Sequence, residues 1–281
     1  MKNVRLLALD VDGTLAIRGN EITDGTRSAL RRLRDSGVEV ALATGRRYRT
    51  TRGAIESLGF DVACVCLGGA LVKEADGTTL EAATFEPAGF QAVVTFLQAQ
   101  GHGVVAQRDA HSEGGADFLI DGALSWRPEM RAYHANNTAF AEWCADLASE
   151  PRDDALVLGS FGPEDDMRAL ARDLETAFPG QLRVTAMPGY VNEGFYCEIL
   201  PVSTCKWEGL LALGRSRDLT GAAICAAGDQ RNDLTMLHGA GVGVAMGNAL
   251  PEVKEAADWV TGRHDEDGIV DLVERILAAQ A

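Results

Sequence analysis

The feature that most constrains the fold is a repeated alternation of short apolar runs with amphipathic segments. In the first third of the chain the apolar runs cover residues 4–9, 38–43 and 62–67, lengths that suit buried strands. Between them, residues 26–36 and 47–58 carry apolar side chains at helical spacing. Short apolar strands joined through helices favour a parallel sheet with right-handed crossovers. We therefore predict an α/β domain with a Rossmann-like parallel-sheet core.

The last third of the chain repeats this alternation. Its segments are predicted as strand 191–200, helix 204–213, strand 222–227, helix 233–238, strand 242–246, helix 251–257, strand 259–261 and helix 268–279. The middle of the chain differs: it reads as helix 87–99, strands 103–107 and 117–120, a loop with Trp and Pro, helix 139–148, strand 155–159, helix 163–177 and strand 182–185. We predict one core domain made from residues 1–84 and 188–281, with an α+β domain, residues 85–187, inserted into it.

The charge and the apolar pattern limit the partners. The chain has 41 acidic against 26 basic residues and a formal net charge of −15, whereas nucleic-acid binding draws on Lys and Arg at phosphates. No apolar run approaches the ~20 residues of a membrane-spanning helix, and the first residues lack a signal-peptide pattern. Six cysteines without CxxC spacing are expected to be reduced. We expect a cytoplasmic protein that binds neither nucleic acid nor a membrane.

Two carboxylates follow the first apolar run, in the segment DVDGT at residues 10–14. Asp10 and Asp12 would repel each other by roughly 4 kcal/mol at ~4 Å, so a cation or a shared proton must compensate. Gly13 allows the turn by which the chain leaves the strand, and the N–H groups of such a turn can bind an anion. The alternative is an Asx-type turn with a purely structural role.

A hydroxyl and a cation follow the next run, in the segment TGR. Thr44 would bind a phosphoryl oxygen beside the N–H groups of Gly45 and the following helix, and Arg46 would orient an anion. The alternative for Thr44 is a helix N-cap.

Two further segments, both in the last third of the chain, carry charged side chains. Lys206 opens a predicted helix, and GDQRND at residues 228–233 places Asp229 and Asp233 four apart after an apolar run. Oxygen ligands of this kind suit a hard cation such as Mg²⁺. The alternatives are a solvated lysine and an acidic helix cap.

All four segments lie at the exits of apolar strands, so a parallel sheet would gather them at one edge. Together they offer carboxylates, a hydroxyl and a cationic side chain, which are the groups that Mg²⁺-assisted phosphoryl transfer needs.

In this order the four segments resemble the motifs of the haloacid dehalogenase-like (HAD) superfamily. GGA at residues 68–70, VAMGNA at 244–249 and DEDGI at 265–269 further resemble its Cof-type branch, phosphatases with a large α/β cap inserted between the second and third motifs. The chain departs from the Cof-type pattern at Gly68, where that pattern usually has Asn.

The resemblance implies a role for each motif residue. Asp10 would attack phosphorus and form an aspartyl-phosphate, and Asp12 would act as general acid and then as general base. The residues expected at the phosphoryl group are Gly13, Thr44, Gly45, Arg46, Lys206 and Asn232. The residues expected at Mg²⁺ are Asp10, Asp12 through its backbone carbonyl, Asp229 and Asp233.

The function that follows from the resemblance is a Mg²⁺-dependent phosphatase for a small phosphorylated metabolite, such as a sugar phosphate. The inserted domain would select the substrate, with Arg108, His111, Arg127 and Arg131 as candidate contacts. Two alternatives stay open: a phosphomutase on the same scaffold, and a phosphate-binding sensor without turnover.

Overall fold

A computed structural model of the protein describes residues 1–111, 114–124, 126–149, 151–189 and 194–280. The chain forms two compact units: Met1–Glu81 together with Cys205–Ala281, and Ala82–Thr204. The first unit is thus discontinuous in sequence. None of the helices in the described part of the chain is long and apolar enough to cross a bilayer.

Strands and helices are numbered separately, each in chain order. The strands are β1 (Leu6–Leu9), β2 (Glu39–Ala43), β3 (Ala63–Cys66), β4 (Leu71–Lys73), β5 (Thr79–Ala82), β6 (Val105–Gln107), β7 (Phe118–Asp121), β8 (Ala141–Cys144), β9 (Val157–Gly162), β10 (Leu182–Pro188), β11 (Phe195–Pro201), β12 (Ile224–Gly228), β13 (Val242–Ala245) and β14 (Trp259–Val260). The helices are α1 (Asp24–Asp35), α2 (Tyr48–Leu58), α3 (Pro87–Ala99), α4 (Pro128–Asn137), α5 (Glu164–Ala177), α6 (Lys206–Arg215), α7 (Leu234–Gly239), α8 (Pro251–Ala256) and α9 (Gly268–Gln280).

The first unit is organised by a sheet in the order β14-β13-β12-β1-β2-β3-β4-β5. β1 lies between β12 and β2 and is parallel to both, so that Leu6 is opposite Ile224 on one side and Glu39 on the other. Every residue of β1 is buried, which is typical of parallel strands covered on both faces. β4 reverses direction and pairs antiparallel with β3.

Local chemistry sets the ends of the helices that follow β1 and β2. The Thr23 hydroxyl accepts the N–H of Thr26 at 3.0 Å and caps α1, whose buried face includes Leu30 and Leu33. α2 ends at Gly59, whose φ of +74° is a conformation that glycine adopts without steric cost.

The second unit contains a separate sheet in the order β10-β11-β9-β6-β7-β8. Its neighbouring strands are antiparallel, apart from the parallel pair β7 and β8. Phe90 and Leu97 of α3 and Leu170 of α5 lie in one apolar core. The predicted fold class, a parallel-sheet α/β core with an α+β insertion, is confirmed.

Two element predictions in the second unit are wrong. Residues 139–148, predicted as a helix, contain a 3-10 turn at Thr138–Phe140 followed by strand β8. The Ala-rich segment has helical propensity, but pairing with β7, which sets Ala141 opposite Phe118, overrides it. The loop expected before it contains α4, which begins at Pro128, a favoured first-turn residue.

The second unit also ends later than residue 187, the predicted boundary. Strand β11 pairs with β10 and β9, and Cys197 lies opposite Ala186 and Ser160. The unit therefore continues to Thr204. Of the predicted strand 191–200, residues 191–193 lie outside the described residues. An apolar run predicts a strand but does not say which sheet the strand joins.

Candidate active site

The site is assembled by three neighbouring parallel strands of the first unit. Asp10 follows β1, Thr44 follows β2, and Asp229 follows β12. Because these strands run in the same direction and lie side by side, their carboxyl ends share one edge of the sheet. This edge is where open α/β sheets bind ligands.

Lys206 is the cationic centre of the site. Its Nζ lies 2.6 Å from Asp10 Oδ1 and 2.6 Å from Asp233 Oδ1, and all three side chains are buried. Burial alone would lower the pKa of Lys206, but the two carboxylates outweigh it and raise that pKa, so the ammonium remains charged. Lys206 is the first residue of α6, which brings it to the sheet edge.

The other carboxylate oxygen of Asp233 holds the loop after β12. Asp233 Oδ2 accepts the N–H groups of Asp229 and Gln230, each at 2.9 Å. This close approach needs a glycine before the loop, because a Cβ on Gly228 would lie 2.4 Å from Asp233 Cγ. Asp233 thus fixes both the Lys206 ammonium and the backbone that carries Asp229.

A cluster of three buried carboxylates lies beside the ammonium. Oxygens of Asp10, Asp229 and Asp233 lie within 4.8 Å of one another. Burial raises the pKa of Asp10, because it outweighs the opposing effect of the Lys206 ammonium, and the charge of Asp233 adds to the rise. Burial also raises the pKa of Asp229. Three carboxylates and one ammonium carry a net charge of −2 when all are ionised (−3 + 1). The all-oxygen donor set and this charge fit Mg²⁺.

The turn after Asp10 is shaped around Asp229. Gly13 has φ +84°, and a Cβ there would lie 2.5 Å from Asp229 Oδ2. Thr14 Oγ1 donates to Asp229 Oδ1 at 3.3 Å. Asn248 Nδ2 donates to the Gly13 carbonyl at 2.7 Å, which ties the loop after β13 to this turn. The sequence predicted no role for Thr14 or Asn248. Asn248 could have been found, because it lies in the loop after β13, at the same edge of the sheet as the other site residues.

Asp12 stands apart from the buried carboxylates. Its side chain is 51% exposed and is held by Arg46, whose Nε donates to Asp12 Oδ2 at 2.7 Å and whose Nη2 donates to Asp12 Oδ1. From the sequence, a cation or a shared proton was expected to offset the repulsion between Asp10 and Asp12. The structure gives each carboxylate its own cation, Lys206 for Asp10 and Arg46 for Asp12.

The remaining residues expected at the phosphoryl group differ in exposure. Thr44 is buried, and its Oγ1 accepts the N–H of Arg46 at 3.1 Å, which leaves its hydroxyl proton to donate. Gly45 is half-buried, and Asn232 is exposed in the 3-10 turn before α7. Their roles toward a phosphoryl group stay predictions.

The candidate substrate contacts of the second unit are engaged in that unit. Arg108 pairs with Glu142, and Arg127 pairs with Asp166. Arg131 Nε donates to the carbonyl of Trp126 at 2.9 Å. His111 is half-buried. Their part in substrate selection also stays a prediction.

A protein-family model matches most of the chain. The model of the family described as haloacid dehalogenase-like hydrolase matches residues 7–273. The chain belongs to this family.

Relatives in this family match the chain over nearly its whole length. A 5-amino-6-(5-phospho-D-ribitylamino)uracil phosphatase from Bacillus subtilis, YitU, is 29% identical over 276 residues, 96% of each chain. An HMP-PP phosphatase from Yersinia enterocolitica is 28% identical over 278 residues, 98% of this chain and 96% of its own. A haloacid dehalogenase-like hydrolase from Bacteroides thetaiotaomicron has the same fold, with a TM-score of 0.77 at 24% identity over 97% of this chain and 99% of its own. The predicted superfamily and enzyme class, a phosphatase, are confirmed.

Proposed function

We propose that this phosphatase depends on Mg²⁺ and hydrolyses a small phosphorylated metabolite, such as a sugar phosphate, through an aspartyl-phosphate on Asp10. The observation that carries the proposal is the contact of Lys206 Nζ with Asp10 Oδ1 at 2.6 Å, beside the cluster of three carboxylates. A carboxylate nucleophile held by an ammonium at a strand exit is suited to attack an anionic phosphoryl group.

The carboxylates of Asp10 and Asp229, with the backbone carbonyl of Asp12, would hold the metal. Both oxygens of Asp233 already accept hydrogen bonds, from Lys206 on one side and from two N–H groups on the other. We therefore assign Asp233 mainly to supporting the metal ligands. When bound, Mg²⁺ neutralises charge on the phosphoryl oxygens and lets an anion approach the carboxylates.

The proposed reaction has two balanced steps. In the first, an Asp10 oxygen forms a bond to phosphorus, the bond from phosphorus to the leaving oxygen breaks, and Asp12 gives that oxygen its proton. In the second, Asp12 accepts a proton from water, the water oxygen bonds to phosphorus, and the bond to Asp10 breaks. Lys206 and Thr44 hold the phosphoryl oxygens in both steps, and the net change is hydrolysis to alcohol and inorganic phosphate.

The substrate class rests on the relatives and on the fold. The two phosphatase relatives, from Bacillus subtilis and Yersinia enterocolitica, are named for phosphorylated small molecules, and the chain has a second compact unit, Ala82–Thr204, besides the unit that holds the candidate site. We propose that residues of this unit select among such metabolites.

The test is phosphate release by the purified protein from a panel of sugar, nucleotide and cofactor-intermediate phosphates, with Mg²⁺. We expect multiple turnovers on some members and no turnover by Asp10→Asn. Phosphorus NMR of the same reactions distinguishes hydrolysis from isomer formation by a mutase. Stoichiometric binding without turnover by the wild-type protein would instead indicate a sensor and overturn the proposal.

A further inference from the structure

Arg46 is bound to the proposed general acid rather than exposed for an incoming anion. Its Nε and Nη2 donate to the two oxygens of the Asp12 carboxylate, the two-point geometry in which a guanidinium fixes both the position and the plane of a carboxylate. Asp12 is half-exposed, so without this contact its side chain would be free to adopt other rotamers.

The guanidinium itself is anchored on its far side. Nη1 donates to Asn20 Oδ1 at 2.6 Å, and Nη2 donates to the Gly19 carbonyl at 2.7 Å. Asn20 can occupy this position because α2 has a glycine at position 53, where a Cβ would come within 2.2 Å of Asn20 Nδ2. Each nitrogen of the Arg46 guanidinium therefore has a protein acceptor, and two of these acceptors are independent of Asp12.

The contact with Arg46 leaves part of the Asp12 carboxylate accessible, since its side chain is 51% exposed. A carboxylate has about four lone-pair positions, two on each oxygen, and Arg46 uses one on each. A remaining lone pair on either oxygen can face the leaving oxygen or a water, while the two-point contact with Arg46 still holds the plane of the carboxylate.

We propose that Arg46 is a positioning residue for Asp12, and not a ligand of the transferring phosphoryl group, with Asn20 holding Arg46 in place. This inference rests on the proposed function, because it concerns the step in which Asp12 protonates the leaving oxygen.

Positioning and phosphoryl binding predict different dependence on the leaving group. A proton from Asp12 matters for an alkoxide, a poor leaving group, and much less for p-nitrophenolate, a good one. Misplacing Asp12 therefore slows the first step, which kcat/KM reports, more for an alkyl phosphate than for p-nitrophenyl phosphate, whereas the second step is common to both substrates. Loss of a phosphoryl ligand slows both substrates alike and weakens the binding of phosphate analogues.

The experiment compares Arg46→Lys with wild-type protein on both substrates. This substitution keeps the positive charge and removes the two-point contact of the guanidinium with the Asp12 carboxylate. We expect kcat/KM on an alkyl phosphate to fall by about 10- to 100-fold, the scale of a displaced catalytic group, with a several-fold smaller loss of kcat/KM on p-nitrophenyl phosphate. The inhibition constant of orthovanadate should change by less than about threefold. Asn20→Ala should lower kcat/KM on the alkyl phosphate in the same selective way, but to a smaller extent. Arg52→Lys, at an exposed pair with Glu56 on α2, serves as the matched control.

A double-mutant comparison isolates the contact itself. If Arg46 acts through Asp12, Arg46→Lys should add little to the defect of Asp12→Asn on the alkyl phosphate. An equal loss of kcat/KM on both substrates, weaker vanadate inhibition or full additivity with Asp12→Asn would overturn the inference. Wild-type turnover of both substrates is measured in the same series, so failure of the proposed function would be seen separately as absent wild-type activity.

Discussion

Lys206 is a buried cation whose ammonium contacts Asp10 and Asp233 at 2.6 Å each. Replacing it in Lys206→Gln leaves the two carboxylates buried without their cation. Removing one partner of a buried ion pair typically costs about 3–5 kcal/mol. We expect a loss of free energy of unfolding of this order in denaturant titrations, together with loss of phosphate release. Lys2→Gln, at an exposed position, serves as the control, and near-wild-type stability of Lys206→Gln would contradict the assignment.

Gly13 tests the fit between the first turn and Asp229. Alanine there meets both an unfavourable φ of +84° and an oxygen of Asp229 2.5 Å from its Cβ. Gly37 has a similar φ, +93°, and a Cβ added there would have nothing within 4 Å, so Gly37→Ala isolates the backbone strain. We expect Gly13→Ala to raise the Mg²⁺ concentration for half-maximal activity by about 10-fold or more, and Gly37→Ala to leave it unchanged. Equal effects of the two substitutions would show that Asp229 is not the cause.

The pKa values of Asp10 and Asp229, raised chiefly by burial, predict how stability responds to pH. Since the folded metal-free protein binds more protons at these groups than the unfolded chain does, its stability should fall as pH rises from the unfolded carboxyl range toward the folded pKa values. Mg²⁺ displaces those protons, so the gain in Tm on adding Mg²⁺ should be larger at pH 8 than at pH 5. Thermal melts with and without Mg²⁺ at both pH values check this. A gain in Tm that is larger at pH 5 than at pH 8 would contradict the prediction.

The sequence predicted which site residues lie together, but it did not predict all of the contacts between their side chains. Asp10, Lys206, Asp229 and Asp233 were expected at one sheet edge and lie there. The contact of Arg46 with Asp12 was not predicted, because it depends on where the side chains turn after β1 and β2 end.

Helix α6 carries Lys206 and depends on close packing against β3. A Cβ on Gly209 would lie 2.4 Å from Val65 Cγ1, whereas a Cβ on Gly89 in α3 has nothing within 4 Å. Alanine adds helical propensity at both positions, so the difference between them reports packing. We expect Gly209→Ala to destabilise the protein by about 1–3 kcal/mol and to lower activity by displacing Lys206. Gly89→Ala should be neutral or stabilising by up to about 1 kcal/mol, and a stabilising Gly209→Ala would contradict the packing account.

Elements with a strong periodic pattern in the first unit were predicted well, including β1, α1 and α9. In the second unit the pattern is weaker, and β8 and β11 depend on distant partners. Ala141 pairs with Phe118, and Cys197 pairs with Ser160. Such pairings are set by tertiary packing, which local propensity does not encode.

Considered as a whole, the molecule carries a formal charge of −15 and is proposed to bind an anionic substrate. An anion could still bind at the site, because Lys206 and a divalent cation together offset the negative charge of the three carboxylates of the cluster. Excess chelator should therefore abolish phosphate release, and added Mg²⁺ should restore it, while raised Na⁺ at the same ionic strength should not. Undiminished turnover in excess chelator would contradict the metal assignment.

The aspartyl-phosphate on Asp10 is tested most directly by mass spectrometry of enzyme acid-quenched during turnover of p-nitrophenyl phosphate. Asp12→Asn is used to slow the second step, because this substrate depends little on a proton donor in the first. We expect a phosphoryl group on the peptide that contains Asp10, lost on treatment with hydroxylamine and absent in Asp10→Asn. A phosphoryl group on another residue, or none while the enzyme turns over, would contradict it.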